Sequence, residues 1–191
     1  MKFLNLGCGN TRIKFDGWIN IDDLHAIFPD PNCKERKNMD SEPNYLNHDL
    51  LNPLPFADNA VDGVLASHLI EHLVLMDCLD LIEECYRVLK PNGVLRIGVP
   101  SPKKFHEGTI AGKTDWGETP RLNRGKTTDM INYGLFFEGH KQVLGKYSIF
   151  CMLYDAGFSK YEEKAFTHTW RVPLADLDNR PDFTLFVEGK K

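Results

Sequence analysis

The stretch from Ala60 to Val99 constrains the fold more than any other part of the sequence. The largely apolar stretch Ala60 to Ala66 predicts a strand that is buried on both faces. From Leu69 to Lys90, apolar residues recur at three- and four-residue steps, which predicts a helix packed on a sheet and ended by Pro91-Asn92-Gly93. Val94 to Val99 then predicts the next strand. Strand, helix and strand with short connections form a right-handed parallel unit, so the sequence predicts an α/β fold.

Further strands are predicted on both sides of this unit. They run over Lys2 to Leu6, Trp18 to Asp22, Tyr45 to Leu50, Tyr161 to Phe166 and Phe183 to Glu188. The connection between the first two is too short for a crossover helix, so we expect a single turn or an irregular loop there. A last helix is predicted from about Leu144 to Ala156, because Gly157 is a natural residue to end it.

Two long segments lack a sustained apolar period. Residues 23–42 contain Pro29 and Pro31, and we expect a loop with at most one helical turn. Residues 101–142 are rich in Gly, Thr, Lys and Asp, and they predict a long excursion that acts as a lid or binding loop. With 191 residues, the chain is predicted to be one domain over 1–191 that carries this insert.

Composition excludes several classes of protein. The formal net charge of -4, without a dense Lys/Arg block, disfavours nucleic acid as a partner. The five cysteines include no Cys-x-x-Cys pair, which argues against a disulfide framework or zinc ribbon and favours a cytoplasmic location. The longest apolar run, from Ile149 to Tyr154, is six residues, so we expect no membrane insertion. The sequence leaves the oligomeric state open.

Polar or small residues follow three of the predicted strands. Gly7-Cys8-Gly9 comes after the first, where the absence of Cβ atoms lets a ligand approach the backbone. Asp22, followed by Asp23, ends the second, and a carboxylate there can accept both hydroxyls of a ribose. Asp49 lies at the end of the third; it is equally suited to accept from an adenine amine or to form a turn. A doubly wound sheet would place these strand ends side by side, where ligands bind.

Five segments together resemble the class I S-adenosylmethionine-dependent methyltransferases. They are Phe3-Leu-Asn-Leu-Gly-Cys-Gly-Asn10, Gly17-Trp-Ile-Asn-Ile-Asp22, Pro53-Leu-Pro-Phe-Ala-Asp-Asn-Ala-Val-Asp62, Ser67-His-Leu-Ile-Glu-His-Leu73 and Glu84-Cys-Tyr-Arg-Val-Leu-Lys-Pro-Asn-Gly-Val-Leu95. The last two are the more specific. The resemblance implies a three-layer Rossmann-like sandwich whose mostly parallel seven-stranded sheet has its last strand antiparallel.

The resemblance also implies a binding site for S-adenosylmethionine. Its glycine turn would lie under the methionine part, Asp22 would hold the ribose, Asp49 and Leu50 would bracket the adenine, and Ser67 and His68 would face the methionine and the acceptor. The cofactor-binding residues predicted in this way are Leu6, Gly7, Cys8, Gly9, Asn10, Asp22, Asp23, Asp49, Leu50, Ser67 and His68. No metal ligand is predicted.

The predicted activity is methyl transfer to a small-molecule or sugar-type acceptor. No Asn/Asp-Pro-Pro-Tyr/Phe motif follows the fourth strand, which disfavours an exocyclic amine as acceptor, and the insert carries Trp116, Arg121, Arg124 and Lys126. Because a sulfonium is already an activated leaving group, positioning supplies most of the catalysis and at most one base is needed. His68 and His72 are the predicted catalytic residues, with His140 as a further candidate base.

Two alternatives stay open at this point. The first is a module that binds S-adenosylmethionine without consuming it, which the shortened first crossovers favour. The second and more remote one is a zinc metallopeptidase, because His68-Leu-Ile-Glu71-His72 matches H-x-x-E-H, in which two histidines one helical turn apart bind zinc.

Overall fold

A seven-stranded sheet organises the chain in the computed structural model, which describes residues 1–9, 11–27, 29–30, 32–110, 139–170 and 182–191. Its strands are β1 (Phe3–Leu6), β2 (Trp18–Asp22), β3 (Tyr45–Asn47), β4 (Val61–Ser67), β5 (Leu89–Pro100), β6 (Lys160–Lys164) and β7 (Thr184–Lys190). They lie in the order β3-β2-β1-β4-β5-β7-β6, and β7 is antiparallel to both of its neighbours. The predicted α/β fold, a mostly parallel sheet whose last strand is antiparallel, is confirmed.

Five α-helices and one short 3-10 turn connect the described strands. The helices are α1 (Leu24–Ile27), α2 (Lys34–Asp40), α3 (Leu75–Val88), α4 (Pro102–Ile110) and α5 (Lys146–Asp155), and the 3-10 turn covers Ile70–His72. Helices α3 and α5 contact each other, and their buried side chains join those of β1, β4 and β5 in one apolar core. Among the described residues, no helix is both long and apolar enough to cross a membrane.

Helix α3 is shorter at its start than the sequence predicts. It begins at Leu75 rather than Leu69, and Met76, which belongs to the predicted apolar stripe, is 63% exposed. A contact from a distant part of the chain accompanies this late start. The Gln142 side-chain amide donates to the carbonyls of Ile70 and Leu73. These bonds stabilise the single 3-10 turn that forms before Leu75 in place of a longer helix.

The short connection between β1 and β2 is irregular, as predicted, and buried amides stabilise it. Asn20, which is fully buried on β2, accepts from the Ile13 N–H at 2.8 Å and donates to the Ile13 carbonyl at 3.0 Å. Asn5 on β1 donates to the Asn20 side-chain oxygen. Ile13 itself packs with Phe3, Trp18 and Leu65. These bonds satisfy loop backbone groups that a crossover helix would otherwise pair internally.

Several predicted boundaries are wrong. Residues 23–42 contain two helices, α1 and α2, rather than at most one turn, and the buried Met39 anchors the second of them. The 101–142 excursion begins with α4, whose first residue is Pro102. Proline is tolerated at a first helical position. Strand β3 ends at Asn47 rather than Leu50, and β5 begins at Leu89 rather than Val94. The prediction of one domain with a lid stays a prediction.

Candidate functional site

The carboxyl ends of β2, β1 and β4 lie next to one another, because β1 pairs in parallel with both of the other strands. From β1 the chain continues outward to β2 and β3, and it then returns to place β4 and β5 on the other side of β1. This reversal makes the gap between β1 and β4 a topological switch point. In open α/β sheets, ligands bind in the crevice at such a point.

The two glycines after β1 are needed for different reasons. Both have positive φ angles, 62° for Gly7 and 46° for Gly9. A Cβ on Gly7 would lie 2.7 Å from the Leu69 side chain, so this glycine admits a neighbouring residue. A Cβ on Gly9 would meet nothing within 4 Å among the described residues. The open space that a ligand could occupy therefore lies at Gly9.

Asp22 is held by the turn opposite it. One carboxylate oxygen accepts the Gly9 N–H at 2.7 Å, and the other accepts the Asp23 N–H at 2.9 Å. Burial raises the pKa of the Asp22 carboxyl above its ordinary value, whereas these two N–H donors act in the opposite direction. Each carboxylate oxygen has a second lone pair that can accept a further donor. Asp22 is therefore oriented and can still accept two hydroxyl groups.

Three of the predicted cofactor-binding residues have buried side chains. Leu6, Cys8 and Leu50 are between 0% and 8% exposed, so at most their backbone atoms can line an open crevice. Burial, followed by the charge of Asp22, raises the pKa of the Cys8 thiol to about 12. Cys8 is therefore a neutral packing residue rather than a nucleophile.

Asp49 forms the turn after β3. Its two carboxylate oxygens accept from the Leu51 N–H at 2.9 Å and from the Asn52 side-chain amide at 3.1 Å. Of its two expected roles, this arrangement fits the turn former, and the adenine contact stays a prediction. The neighbouring Asn47 accepts from the Leu24 N–H, so it fixes the start of α1 beside Asp22.

His68 follows β4 in a left-handed conformation, with a φ of 51°. Its Nδ1 lies 3.1 Å from a Glu71 carboxylate oxygen, and its Nε2 lies 2.9 Å from the Thr184 hydroxyl on β7. The backbone N–H of His68 donates to the Gly98 carbonyl of β5. Both ring nitrogens thus have partners within the protein, and the ring is fixed beside Ser67 at the switch point.

His72 and His140 come together with Glu71 next to this ring. The imidazole rings of His72 and His140 meet edge to face, with centroids 4.7 Å apart. Each of the three residues offers one ligand-type atom, and these atoms all lie within 4.8 Å of one another. The sequence indicated His72 and His140 separately but not their contact. Asn10 and the insert residues Trp116, Arg121, Arg124 and Lys126 lie outside the described residues.

Comparison with known proteins agrees with this geometry. A family model described as a methyltransferase domain matches residues 4–97, from β1 into β5. A probable S-adenosylmethionine-dependent methyltransferase of Mycolicibacterium smegmatis is 33% identical over 86 residues. That match covers 45% of this chain and 32% of the relative, so the chain spans about a third of the relative's length.

Solved structures share the fold of the described residues. A SAM-dependent methyltransferase from Archaeoglobus fulgidus aligns with a TM-score of 0.63 at 17% identity, covering 100% of this chain and 86% of that one. One from Mesorhizobium loti gives a TM-score of 0.57 at 15% identity, with coverages of 100% and 90%. At these identities the likeness concerns the fold alone. It shows a Rossmann-like arrangement.

Proposed function

We propose that the chain, whose residues 4–97 match a methyltransferase-domain family model, is a class I S-adenosylmethionine-dependent methyltransferase. In this proposal it binds S-adenosylmethionine beside Asp22 and Gly9 and transfers the methyl group to a small-molecule or sugar-type acceptor. When bound, the sulfonium supplies an activated methyl group. The acceptor would supply the lone pair that receives this group.

One observation carries the proposal: the Asp22 carboxylate is oriented at the switch point by the N–H groups of Gly9 and Asp23. A pair of hydroxyls on adjacent ribose carbons can use the remaining lone pair on each oxygen. The open space at Gly9 supports the same placement, because a side chain there would enter the crevice. The residues present therefore fit the nucleoside part of the cofactor.

The protein's contribution to the reaction is positioning. Holding an acceptor in line with the methyl group can supply about 7–11 kcal/mol of the barrier. His68 acts here as a positioning residue, because its ring is held on one side by Glu71 and on the other by Thr184. The ring of His72 is only partly buried. Proton removal by His72 stays a prediction.

The zinc-peptidase alternative lacks the helix that it needs. The H-x-x-E-H pattern requires both histidines on one face of an α-helix. Here His68 precedes a 3-10 turn, and its ring nitrogens bond to Glu71 and Thr184. The same residues that resemble a peptidase motif thus fix the end of β4 instead.

Binding and turnover test the proposal separately. We expect S-adenosylhomocysteine to bind with measurable heat in calorimetry and to raise the melting temperature, since a ligand specific for the native state stabilises it. No binding at millimolar ligand would contradict the proposal. Incubation of the labelled cofactor with a panel of small-molecule and sugar acceptors then tests transfer. Binding without consumption would favour the non-catalytic module over the enzyme.

A further inference from the structure

Glu71 is a carboxylate in an unusual environment. It is 1% exposed, and one of its oxygens accepts from His68 Nδ1 at 3.1 Å. Its other oxygen, Oε2, is buried without a hydrogen-bond partner in the part of the chain that the structure describes. A buried carboxylate oxygen normally receives donors or coordinates a metal, because removing its charge from water costs several kcal/mol. Oε2 is therefore a candidate donor atom for a metal ion.

The residues around this carboxylate are metal-ligand types. His72 follows Glu71 on the 3-10 turn, and the ring of His140 packs against that of His72. One potential ligand atom from each of the three lies within 4.8 Å of the others. A tetrahedral ion with bonds of about 2.0–2.2 Å separates its donors by roughly 3.3–3.6 Å. Side-chain shifts of about 1 Å would close the three residues around one ion.

The backbone holds this cluster together from two sides. The Lys141 N–H donates to the Glu71 carbonyl at 2.8 Å, and the Gln142 amide donates to the carbonyls of Ile70 and Leu73. These bonds fix the arm that carries His140 directly over the 3-10 turn. On the far side of the carboxylate, His68 bonds to its Oε1 and is itself held by Thr184. Such outer partners orient metal-binding carboxylates in known sites.

We propose that Glu71, His72 and His140 bind a divalent first-row transition-metal ion, with Zn²⁺ as its representative. Two imidazoles and one carboxylate form a nitrogen and oxygen donor set that suits such ions better than Mg²⁺ or Ca²⁺, which prefer oxygen ligands only. Three protein ligands leave at least one coordination position open. The ion joins the end of the 101–142 insert to the carboxyl end of β4. A metal-bound His72 has no free nitrogen lone pair, so it would not act as the base.

Zinc titration of the tag-free full chain tests the site. The protein is first stripped with a chelator. It carries Cys33→Ser and Cys151→Ser because these two thiols are partly or fully exposed, and thiolates are zinc ligands that would compete with the site. We expect one Zn²⁺ per chain in calorimetry. His72→Ala and His140→Ala should each weaken binding at least tenfold, and Glu71→Gln should do the same while keeping the side chain's shape.

His106→Ala is the matched control, because this exposed histidine lies on α4 outside the cluster. It should bind Zn²⁺ like the parent. The proposal is overturned if the parent binds no Zn²⁺, if His72→Ala binds as tightly as the parent, or if His106→Ala loses as much affinity. Circular dichroism checks that each variant is folded. If His140→Ala unfolds, the comparison of Glu71→Gln with His106→Ala decides the matter.

A second readout is independent of stoichiometry. Saturating Zn²⁺ should raise the melting temperature of the parent and of His106→Ala, because the ion binds only the assembled cluster. The increase should disappear in Glu71→Gln. An equal increase in Glu71→Gln would show that Zn²⁺ stabilises the protein from another place and would overturn the assignment. None of these measurements requires the cofactor, so their outcome does not depend on whether the proposed methyl transfer is correct.

Discussion

The two sides of the β1/β4 switch point are built differently. On the β2 side, Asp22 is oriented by backbone N–H groups of Gly9 and Asp23, only 13 and 1 residues away in sequence. On the β4 side, His68 is oriented by side chains, and one of its partners, Thr184, is 116 residues away. The first side depends on the shape of a glycine turn. The second depends on the last strand completing the sheet.

Of the two sides of the switch point, the β2 side should be the more sensitive to a single added methyl group, because it depends on the glycine turn. We expect Gly7→Ala to lower the free energy of unfolding by about 2–4 kcal/mol, from a left-handed backbone and from crowding against Leu69. Gly9→Ala is the matched control, with a positive φ but open space around it, and should cost about 1–2 kcal/mol. Urea unfolding measures both. Equal losses would mean that the contact with Leu69 does not matter.

Asp22 should affect the ligand more than the fold. We expect Asp22→Ala to weaken S-adenosylhomocysteine binding by about 1.5–3 kcal/mol, roughly 10- to 150-fold, because the charge-assisted contact with the ribose is lost. Calorimetry measures the change. Asp16→Ala, which alters an exposed aspartate on the β1–β2 loop, serves as the control and should leave the affinity as it is. An unchanged affinity in Asp22→Ala would move the ribose contact to Asp23 or to another residue.

Thr184 tests the long-range side of the comparison. Thr184→Val keeps the shape of a fully buried side chain and removes the hydroxyl that bonds to His68. We expect the free energy of unfolding to fall by about 1–2 kcal/mol, since the ring nitrogen loses its partner. Thermal unfolding measures this loss, and Thr184→Ser should restore most of it. Thr167→Val, at an exposed threonine, should have little effect. Equal values for the two valine variants would show that the contact does not stabilise the fold.

Cys8 gives the smallest expected effect, and it concerns alkaline pH. Burial raises the pKa of this thiol from 9.0 to about 12, so the folded state keeps it neutral while the unfolded state ionises it. The stability from this thiol is complete below pH 9 and falls as the pH rises from 9 towards 12. Between pH 8 and pH 9.5, Cys8→Ala should therefore lose roughly 1 kcal/mol less stability than the parent.

Cys151→Ala is the control for this pH dependence, because Cys151 is exposed. Denaturant unfolding at the two pH values should give the same loss of stability for this variant as for the parent. The burial argument for Cys8 fails if Cys8→Ala and Cys151→Ala behave alike.

Short-range patterns in the sequence determined most of the fold and the β2 side of the site. Alternating and continuous apolar runs located all seven strands, although β3 and β5 differ by several residues from their predicted ends. The glycine turn and Asp22 were found because strand ends share one edge of a parallel sheet. The cytoplasmic location, the single domain and the acceptor class stay predictions.

The tertiary structure decided what depends on contacts between distant residues. Gln142 bonds to the carbonyls of Ile70 and Leu73 in the 3-10 turn before α3, and no pattern around Leu69 contains that information. Thr184 reaches His68 only because β7 inserts between β5 and β6. The cluster of Glu71, His72 and His140 likewise forms only after the long insert returns to the end of β4. Periodicity reports which face of an element is buried, whereas the partner across that face is chosen by the packing of the whole chain.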